Sequence, residues 1–570
     1  MTGAAGAVRY GRDDRLPPLE LLLNALQHVA VIAPVGLVFP ALVAAAAHLP
    51  ADDAEAVIAA SLIALGAGSI LLCRAGRWSG AGFLAPSIFT AAYLPGCLAA
   101  AAVGGMPLVA GMTIFAGLCE IGWSFVLHRW RRLLPVEISG LAVVMIGLTL
   151  ALLGFELVFA VEPGGPFPSE PAQVEVWILG LGSLACIVAL NVWGRGPVRT
   201  FAVLVGVTAG YAAAAVAGMV DRAGLGVDLT GPLVELPRLL LVLPTFDAAL
   251  APHFVIGALA SALRAMGDIT TCQRLTDRRW VRPDFDSIER GVRADGLSTI
   301  VAGALGSVGL NTFSGSIGLS QASGVLARQV GAAVGALFVL LAFCPPVVAL
   351  AAAMPRPVTG AVLLFSSTFI LANGLQIIVA RLLDARRILT IGLGTFFGIS
   401  HAAFLGFYAT LPSWLGAVAG SALMLSLVIA LALNAVFRIG ATRTVRMAVP
   451  VDPDLPQRIH ALCEEGGAAA GARRDVVDRV FSAAMEAAEI ALDAPRPGAT
   501  FALTLGFDEY FVDATAAFER SGAVAADTPG DGDLPVPLAD LAMLLIRRQA
   551  DRVTETTENG RTVLRMRFDA

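Results

Sequence analysis

Lysine is missing from this sequence of 570 residues, so all 39 basic residues are arginine. The chain can therefore form neither a lysine Schiff base nor the lysine contact of a phosphate-binding loop. Charge of either sign is scarce: charged residues make up 15% of the chain, against about 25% in ordinary soluble domains. The net charge is −5, which argues against a nucleic-acid partner because such a partner requires a basic face. An ordinary cytosolic enzyme and a nucleic-acid-binding protein are both disfavoured.

Cysteine is present only as seven scattered residues without a Cys-x-x-Cys pair. This spacing predicts neither a disulfide framework nor a zinc site. The more ordinary role of such residues is the packing of small apolar sites. We therefore expect no metal and no cofactor.

Apolar residues, in contrast, are abundant: 57% of the chain is hydrophobic and the mean hydropathy is +0.77. Runs long enough to cross a bilayer, about 17–25 residues each, fill the chain from residue 19 to residue 437. We predict fourteen spans, near 19–47, 55–73, 80–101, 106–127, 136–160, 176–194, 199–219, 251–272, 294–310, 312–328, 330–353, 357–380, 388–407 and 412–436. The predicted class is an all-α polytopic membrane protein.

The distribution of arginine supports this count. If the N terminus lies inside the cell, most arginines between the spans fall on the inner side, and the outer loops hold only Arg222, Arg238 and Arg356. Such a bias is typical of multi-pass proteins. An even number of spans also keeps the charged tail inside. We therefore predict a location in the inner (plasma) membrane with both termini cytoplasmic.

Two predicted spans, the third (80–101) and the tenth (312–328), are interrupted by glycine, proline and serine. A broken helix is tolerated at membrane depth only where protein or a cavity satisfies its backbone. Two similar motifs, 135–140 and 355–360, begin spans 220 residues apart, the first inside and the second outside. We interpret this pattern as an inverted repeat, in which paired broken segments mark the binding site. Chance use of proline and glycine is the alternative.

The composition changes after the last span, where charge becomes denser. We predict four parts: a cytosolic N-terminal segment (1–18), a transmembrane transporter domain (19–437), a proline-marked linker (438–456) and a small cytosolic α+β domain (457–570). In the last part the residue pattern predicts helices at 475–493 and 537–550 and strands at 500–507, 509–514, 551–557 and 561–568.

Charged residues inside apolar spans are costly and mark candidate functional sites. Arg264 and Asp268 lie four residues apart in the eighth span and share one helix face. They form either a neutralised pair that allows insertion or a cation held ready for a substrate. Glu120, in the fourth span, is either a proton carrier or a hydrogen-bonded structural carboxylate. His28, in the first span, is more often a satisfied core histidine than a ligand.

Several motifs resemble, in order, those of the nucleobase–ascorbate transporter family (xanthine/uracil permeases) over about residues 15–437. They are Gln27-His28 in the first span, Arg264-Ala265-Met266-Gly267-Asp268 in the eighth, Asp295-Gly296 in the ninth, Gly315 to Ser323 in the tenth and Pro355 to Gly360 in the twelfth. The resemblance implies a seven-plus-seven inverted repeat of fourteen spans. It also implies a core domain that moves against a gate domain, usually within a homodimer.

The resemblance further implies which residues form the substrate site. The substrate would lie between the two broken segments, at the positive ends of their half-helices. The matching positions are Phe83 in the third segment and Gly315 and Ser316 in the tenth. Arg264 and Asp268 of the eighth span would complete the site.

The sequence departs from the family pattern at the centre of that site. Arg264 stands where the family usually has a carboxylate, and Gly315 and Ser316 stand where it has glutamine or glutamate followed by asparagine. Because arginine only donates hydrogen bonds, it favours carboxylate or enolate oxygens over nucleobase N–H groups. The departures favour an anionic or oxygen-rich substrate: urate, an oxidised purine, a small carboxylate or an inorganic anion.

The same departure affects coupling. The family uses protons or sodium, and the carboxylate that Arg264 replaces often takes part. The remaining candidates for carrying a proton are Asp268, Asp295, Glu120 and His28. Anion exchange is the alternative if the arginine supplies a fixed positive charge.

The end of the chain, 475–568, is similar to the histidine-kinase-type ATPase domain in its anti-sigma-factor variety. Glu486 matches the catalytic glutamate of that domain, but Ile490 replaces its asparagine. Ala539 and Ala542 stand where glycines would admit a phosphate. We interpret the domain as degenerate and used for regulation or for contact with a cytosolic protein. An unrelated α+β domain is the alternative.

The sequence thus predicts a secondary-active transporter of purine- or pyrimidine-type substrates, embedded in lipid, rather than an enzyme. Two alternatives remain open. One is a membrane sensor that signals through its C-terminal domain, and the other is a transporter of inorganic or carboxylate anions.

Overall fold

A computed structural model describes most of the chain. The described residues are 8–130, 136–161, 172–219, 232–277, 280, 283–379, 383, 385–412, 419–437, 443–470, 472, 474–492, 499–508, 511–519, 538–558 and 561–569. They divide into two units, Met1–Asn434 and Ala435–Ala570.

The first unit is mostly helical, as the apolar composition predicts. Its described helices are α1 (Pro18–Gly36), α2 (Val38–Ala46), α3 (Ala51–Cys73), α4 (Leu94–Trp130), α5 (Val136–Phe159), α6 (Ala172–Trp193), α7 (Pro197–Thr200), α8 (Ala202–Val216), α9 (Ala251–Thr276), α10 (Phe285–Ala304), α11 (Ser314–Ser323), α12 (Arg328–Leu341), α13 (Pro345–Ala352), α14 (Arg356–Ile378), α15 (Ala385–Ala403), α16 (Leu405–Ala409) and α17 (Ala422–Phe437). Two short strands, β1 (Ser87–Phe89) and β2 (Leu310–Thr312), interrupt them. The expectation of a mostly helical, polytopic membrane-type fold is confirmed.

The number of spans depends on how the broken segments are counted. Among the described residues, seven helices are long and apolar enough to cross a bilayer, or eight if the bent pair α12–α13 forms one span. The shorter apolar helices α8 and α17 fall below that length. The helix after β2, α11, has only ten residues, and α4 joins the half-helix after β1 to the next predicted span across Gly105. The count of fourteen therefore stays a prediction.

The two predicted broken segments meet inside the unit. β1 and β2 pair antiparallel, with Ser87 opposite Thr312, and every residue of both strands is buried. Next to this pair, the N–H of Phe313 donates to the carbonyl oxygen of Pro86 at 3.1 Å. Each strand leads into a helix, α4 after β1 and α11 after β2. The pairing satisfies backbone groups that a broken helix would otherwise leave without partners.

Matching backbone features occur in the two halves of the unit. Gly105, with φ of 64°, interrupts α4 and so ends the half-helix that begins at Leu94 after β1. Gly324, with φ of 72°, ends α11 after β2. Both glycines have a positive φ, which side chains disfavour, but ψ is −160° at Gly105 and 15° at Gly324. Each half-helix that follows a paired strand is thus interrupted or ended at a glycine with positive φ.

Close contacts between helices are matched as well. A Cβ atom on Gly117 of α4 would lie 2.5 Å from the carbonyl oxygen of Gly296 of α10, and a Cβ atom on Gly296 would lie 2.7 Å from that of Gly117. Gly66 of α3 and Gly335 of α12 make the same reciprocal contact, at 2.6 and 2.5 Å. The predicted inverted repeat relates α4 to α12 and α3 to α10. The two contacts support that repeat, which stays a prediction.

Replacing Gly117 with alanine is expected to destabilise the membrane unit by about 1–3 kcal/mol, because the added methyl group forces α4 and α10 apart. The matched control is Gly122→Ala on the same helix, where a Cβ atom meets no heavy atom of the described residues within 4 Å. That change is expected to be neutral or slightly stabilising, since alanine is the better helix former. Thermal unfolding of the two purified variants compares them. Equal unfolding midpoints would contradict the close approach of the two helices.

The second unit is a two-layer α+β domain. Its elements are β3 (Arg443–Pro450), α18 (Leu455–Ala470), α19 (Arg474–Leu492), β4 (Thr500–Phe507), β5 (Phe511–Phe518), α20 (Leu538–Gln549), β6 (Arg552–Glu558) and β7 (Arg561–Asp569). The strands form an antiparallel sheet in the order β3-β4-β5-β7-β6. Alternate residues of β4, such as Phe501 and Leu505, lie in the same apolar core as Val480 and Ala487 of α19. The helices therefore cover one face of the sheet.

The predicted linker (438–456) is wrong over much of its length. Its residues 443–450 form β3, which pairs along its whole length with β4. The missed signal is the alternation of Val445, Met447 and Val449, whose side chains pack against the core. Proline does not exclude this strand, because Pro450 ends it at the edge of the sheet. Within the predicted α+β domain, the strand expected at 509–514 runs instead from 511 to 518.

Candidate functional site

Asp268 of α9 is held by the broken tenth segment. The hydroxyl of Ser314 donates to Asp268 Oδ1 at 2.7 Å, and the hydroxyl of Thr312 lies 2.7 Å from Oδ2. Both hydroxyl groups belong to the stretch where β2 passes into α11. Hydrogen bonds to an ionised acceptor are among the stronger ones. The carboxylate thus has a fixed position at the start of the half-helix.

Arg264 lies on the same face of α9, one turn before Asp268. Its Nε is 3.9 Å from Asp268 Oδ2, which is ion-pair distance but too long for a hydrogen bond. The Arg264 side chain is only 11% exposed. Within the described part of the chain no hydrogen bond from this guanidinium is found. A nearly buried group with five N–H donors normally has partners, so Arg264 is equipped to receive acceptor oxygens.

His28 and Ser316 meet across the unit. His28 Nδ1 lies 2.9 Å from Ser316 Oγ, and both residues are buried. This contact joins α1 to the first turn of α11. The histidine is therefore a hydrogen-bonded neighbour of a predicted site residue.

Aromatic rings flank the same half-helix. Phe83 is buried in an apolar cluster with Leu263 of α9 and Ile317 of α11. Gly315 has no side chain, and a Cβ atom there would lie 2.5 Å from the ring of Phe313. The Phe313 ring thus takes the space into which a side chain at position 315 would project.

The N-terminal residues 9–14 approach the site from another side. The N–H of Arg9 donates to the carbonyl oxygen of Gly324 at 2.8 Å, at the end of α11. The guanidinium of Arg12 lies over the ring of Phe83, 5.2 Å from its centroid. This is a cation–π contact. The segment preceding the first helix therefore touches a predicted substrate contact.

Glu120 and Asp295 lie apart from this group, at the crossing of α4 and α10. Both residues are fully buried and are neighbours of each other. The hydroxyl of Tyr93 donates to Glu120 Oε2 at 3.0 Å. One carboxylate oxygen of Glu120, Oε2, is therefore hydrogen-bonded, and the other, Oε1, has no partner among the described residues.

The structure thus groups the predicted residues into two sets. Arg264, Asp268, Phe83, Gly315 and Ser316, with His28, surround the start of α11, whereas Glu120 and Asp295 form a separate pair. Sequence reasoning missed the residues that join them: Ser261, Asn311, Thr312 and Ser314. The polar residues that directly precede Gly315 in the sequence were a usable signal for three of these four residues. Their contact with α9 depends on the β1–β2 pairing, which local sequence does not specify.

The membrane helices and the buried polar site at the paired broken segments define a multi-pass membrane transporter. A family model described as a permease family, of the xanthine/uracil permease type, matches residues 19–407, more than half of the chain. The chain belongs to this family, the nucleobase–ascorbate transporters, and is a transporter rather than an enzyme.

The matches to curated relatives cover most of the length of each relative. The uric acid permease PucK of Bacillus subtilis is 26% identical over 422 residues, covering 74% of this chain and 96% of the relative. The xanthine permease XanQ of Escherichia coli is 28% identical over 408 residues, covering 68% and 85%. A putative purine permease of Clostridium perfringens is 25% identical over 435 residues. Among solved structures, the transmembrane domain of the cyanobacterial bicarbonate transporter BicA matches with a TM-score of 0.44 and 14% identity, covering 75% of this chain and all of that domain.

Proposed function

We propose that the chain carries a purine-type substrate that is anionic or rich in acceptor oxygens, such as urate, across the membrane. The observation that carries this proposal is the nearly buried Arg264 guanidinium, whose donors have no hydrogen-bond partner in the described chain. A substrate with oxygens on its ring would supply those partners. The relatives named as uric acid and xanthine permeases support a purine as the substrate class.

Each neighbouring residue has a role in this proposal. Arg264 binds the substrate oxygens, and Asp268, fixed by Thr312 and Ser314, orients the guanidinium. The start of α11 places a positive helix end near the same point. Phe83 supplies a flat apolar surface, which suits a planar ring. The absence of a side chain at Gly315 leaves Phe313 to close the pocket there.

The wider arrangement is proposed in the same form. Fourteen spans in a seven-plus-seven repeat, with both termini on the cytoplasmic side of the inner membrane, are supported by the arginine bias and by the matched glycine contacts. A homodimer with a core and a gate domain remains the expectation carried by the family resemblance. Among the alternatives, transport is favoured over sensing because the relatives are permeases.

The C-terminal unit is proposed to regulate the transporter or to bind a cytosolic protein. Arg567 donates two hydrogen bonds of 2.6 and 2.7 Å to the carboxylate of Asp513, so this carboxylate already has a cationic partner within the domain. Ala542 is buried, so it leaves no gap for a phosphate. Glu486 is half-buried on α19, and burial raises the pKa of its carboxyl group, with a smaller contribution from Glu489. These contacts support a non-hydrolysing domain.

The substrate proposal is tested by uptake of labelled urate, xanthine and uracil into proteoliposomes of the purified full-length chain. Urate uptake is expected to exceed uracil uptake by about tenfold or more, because one charge-assisted hydrogen bond favours the anion by about 1.5–3 kcal/mol. Excess unlabelled acetate or sulfate separates a purine site from a general anion site. Uracil uptake equal to urate uptake would contradict the role given to Arg264. Inhibition of urate uptake by sulfate would favour an inorganic-anion transporter.

A further inference from the structure

Two carboxylates meet where α4 and α10 cross. Glu120 and Asp295 have no exposed surface and lie side by side. The crossing is close because Gly117 and Gly296 place each backbone against the other. Glu120 follows Gly117 by one turn and Asp295 directly precedes Gly296. The glycine contact therefore fixes the two carboxylates as neighbours.

This pair has too few hydrogen-bond donors. The hydroxyl of Tyr93 reaches Glu120 Oε2, but Glu120 Oε1 and both carboxyl oxygens of Asp295 have no donor among the described residues. The other charged groups that act on Asp295 are Arg264 and Asp268 of α9. Arg264 makes its ion-pair contact with Asp268 instead. Neither carboxylate of the pair therefore has a cation in direct contact within the described chain.

Two adjacent carboxylates without such a cation cannot both stay ionised in a buried site. One proton resolves the conflict, because a protonated carboxyl group becomes a donor. Glu120 already accepts from Tyr93, which suits its ionised form. Asp295 therefore holds the proton, and its O–H donates to Glu120 Oε1. This arrangement satisfies two of the three oxygens that lack a partner.

A polar chain connects the pair to the substrate site. Ser261 of α9 lies beside Glu120 and accepts from Asn311 Nδ2 at 2.6 Å. The hydroxyl of Thr312 lies 2.9 Å from Asn311 Oδ1 and 2.7 Å from Asp268 Oδ2. That hydroxyl has one hydrogen, so it donates to only one of the two acceptors at a time. The chain thus has two discrete arrangements, as coupling between two sites requires.

We propose that Glu120 and Asp295 together bind one proton and form the coupling site of this transporter, linked to Asp268 through Ser261, Asn311 and Thr312. The inference rests on the proposed transport function. Water on the side that the carrier faces supplies the proton, which forms one O–H bond on Asp295. On the opposite side, where water reaches the pair, that bond breaks and the proton returns to water, which then solvates the two carboxylates until one of them is protonated again. No oxidation or reduction is involved.

The test uses the full-length chain in proteoliposomes with labelled urate as the probe and with the membrane potential clamped. An inward gradient of one pH unit is expected to give about tenfold accumulation in a one-to-one symport. Asp295→Asn and Glu120→Gln are expected to reduce the accumulation ratio to about one, because neither variant offers a carboxyl pair that exchanges a proton. Counterflow at equal pH should be lowered less than accumulation. Glu156→Gln, which removes a carboxylate from α5, is the matched control.

Two results of this assay would overturn the proposal. One is accumulation in Asp295→Asn and Glu120→Gln equal to that of the wild type. The other is accumulation that follows a sodium gradient and ignores the proton gradient. If the variants lose accumulation and counterflow together, infrared spectroscopy of the purified variants decides between a coupling role and a purely structural one, because it detects the protonated carboxyl group directly.

Infrared spectroscopy of the purified full-length protein separates this inference from the substrate proposal. The band of protonated carboxyl groups is expected to shrink in Glu120→Gln/Asp295→Asn and to persist in Glu156→Gln. If the wild type carries neither urate nor xanthine, the proposed substrate fails while the proton site is still tested. An unchanged band in the double variant would overturn the proton site even if urate transport is found.

Discussion

Urate uptake by the Arg264→Gln variant is expected to fall by about 10- to 150-fold in kcat/KM. The estimate follows from a hydrogen bond to a charged group, worth about 1.5–3 kcal/mol, with each 1.4 kcal/mol equal to a factor of ten. Glutamine keeps much of the side-chain length but loses the charge and the planar fork of donors. Initial rates of labelled urate uptake into proteoliposomes, normalised to reconstituted protein, provide the measurement.

Arg293→Gln is the matched control for this prediction. Arg293 is 13% exposed and forms an ion pair with Glu289 one turn away on α10, at 3.8 Å, so its burial and its ion pairing are similar to those of Arg264. Its ring contacts are with Trp78 and Phe125, away from the paired strands. Uptake in this control should stay close to wild type. A similar loss in both variants would show that removal of any semi-buried arginine impairs the protein, and the specific role of Arg264 would be wrong.

The helix-face argument for Arg264 and Asp268 depends only on spacing, which is why the sequence alone could predict that they are neighbours. The partners of Asp268 could not be predicted in the same way. Thr312 and Ser314 reach it from more than forty residues along the chain, and only the pairing of β1 with β2 brings them there. A three-residue buried strand has no alternation long enough to be recognised as a strand.

The carboxyl pair shows the same limit. Glu120 and Asp295 could each be recognised as an intramembrane carboxylate from sequence. Their adjacency follows from a helix crossing that depends on glycines with no side chain to signal it. Gly117 and Gly122 look alike in the sequence, yet only Gly117 faces another backbone. Tertiary packing, rather than local pattern, therefore distinguishes a structural glycine from an incidental one.

In the C-terminal unit, local pattern was more informative. The amphipathic helix expected at 475–493 matches α19, and the strand expected at 500–507 matches β4, because both have a clean apolar period. β3 was missed because three prolines near it suggested a linker. Proline at the end of an edge strand removes no hydrogen bond that the sheet needs. The alternation of apolar residues was the better guide there.

Asp268→Ala is expected to destabilise the protein by about 3–5 kcal/mol, because it leaves the Arg264 guanidinium nearly buried without a counter-charge. The change also removes the acceptor for the hydroxyl groups of Thr312 and Ser314. Thermal unfolding of the purified full-length variant, followed in detergent, should show a clearly lower midpoint. Urate uptake should be lost as well, since the guanidinium is no longer oriented. An unfolding midpoint equal to that of the wild type would contradict the burial of the pair.

The double variant Arg264→Gln/Asp268→Asn separates the two interpretations of this pair. If the pair only neutralises a charge inside the membrane, two uncharged side chains of similar size restore both stability and uptake. If Arg264 binds the substrate, stability returns while urate uptake stays low, because the donor fork is still missing. We expect the second outcome. The stability of the double variant is the internal control, since a folded protein that does not carry urate places the loss at the site rather than in the fold.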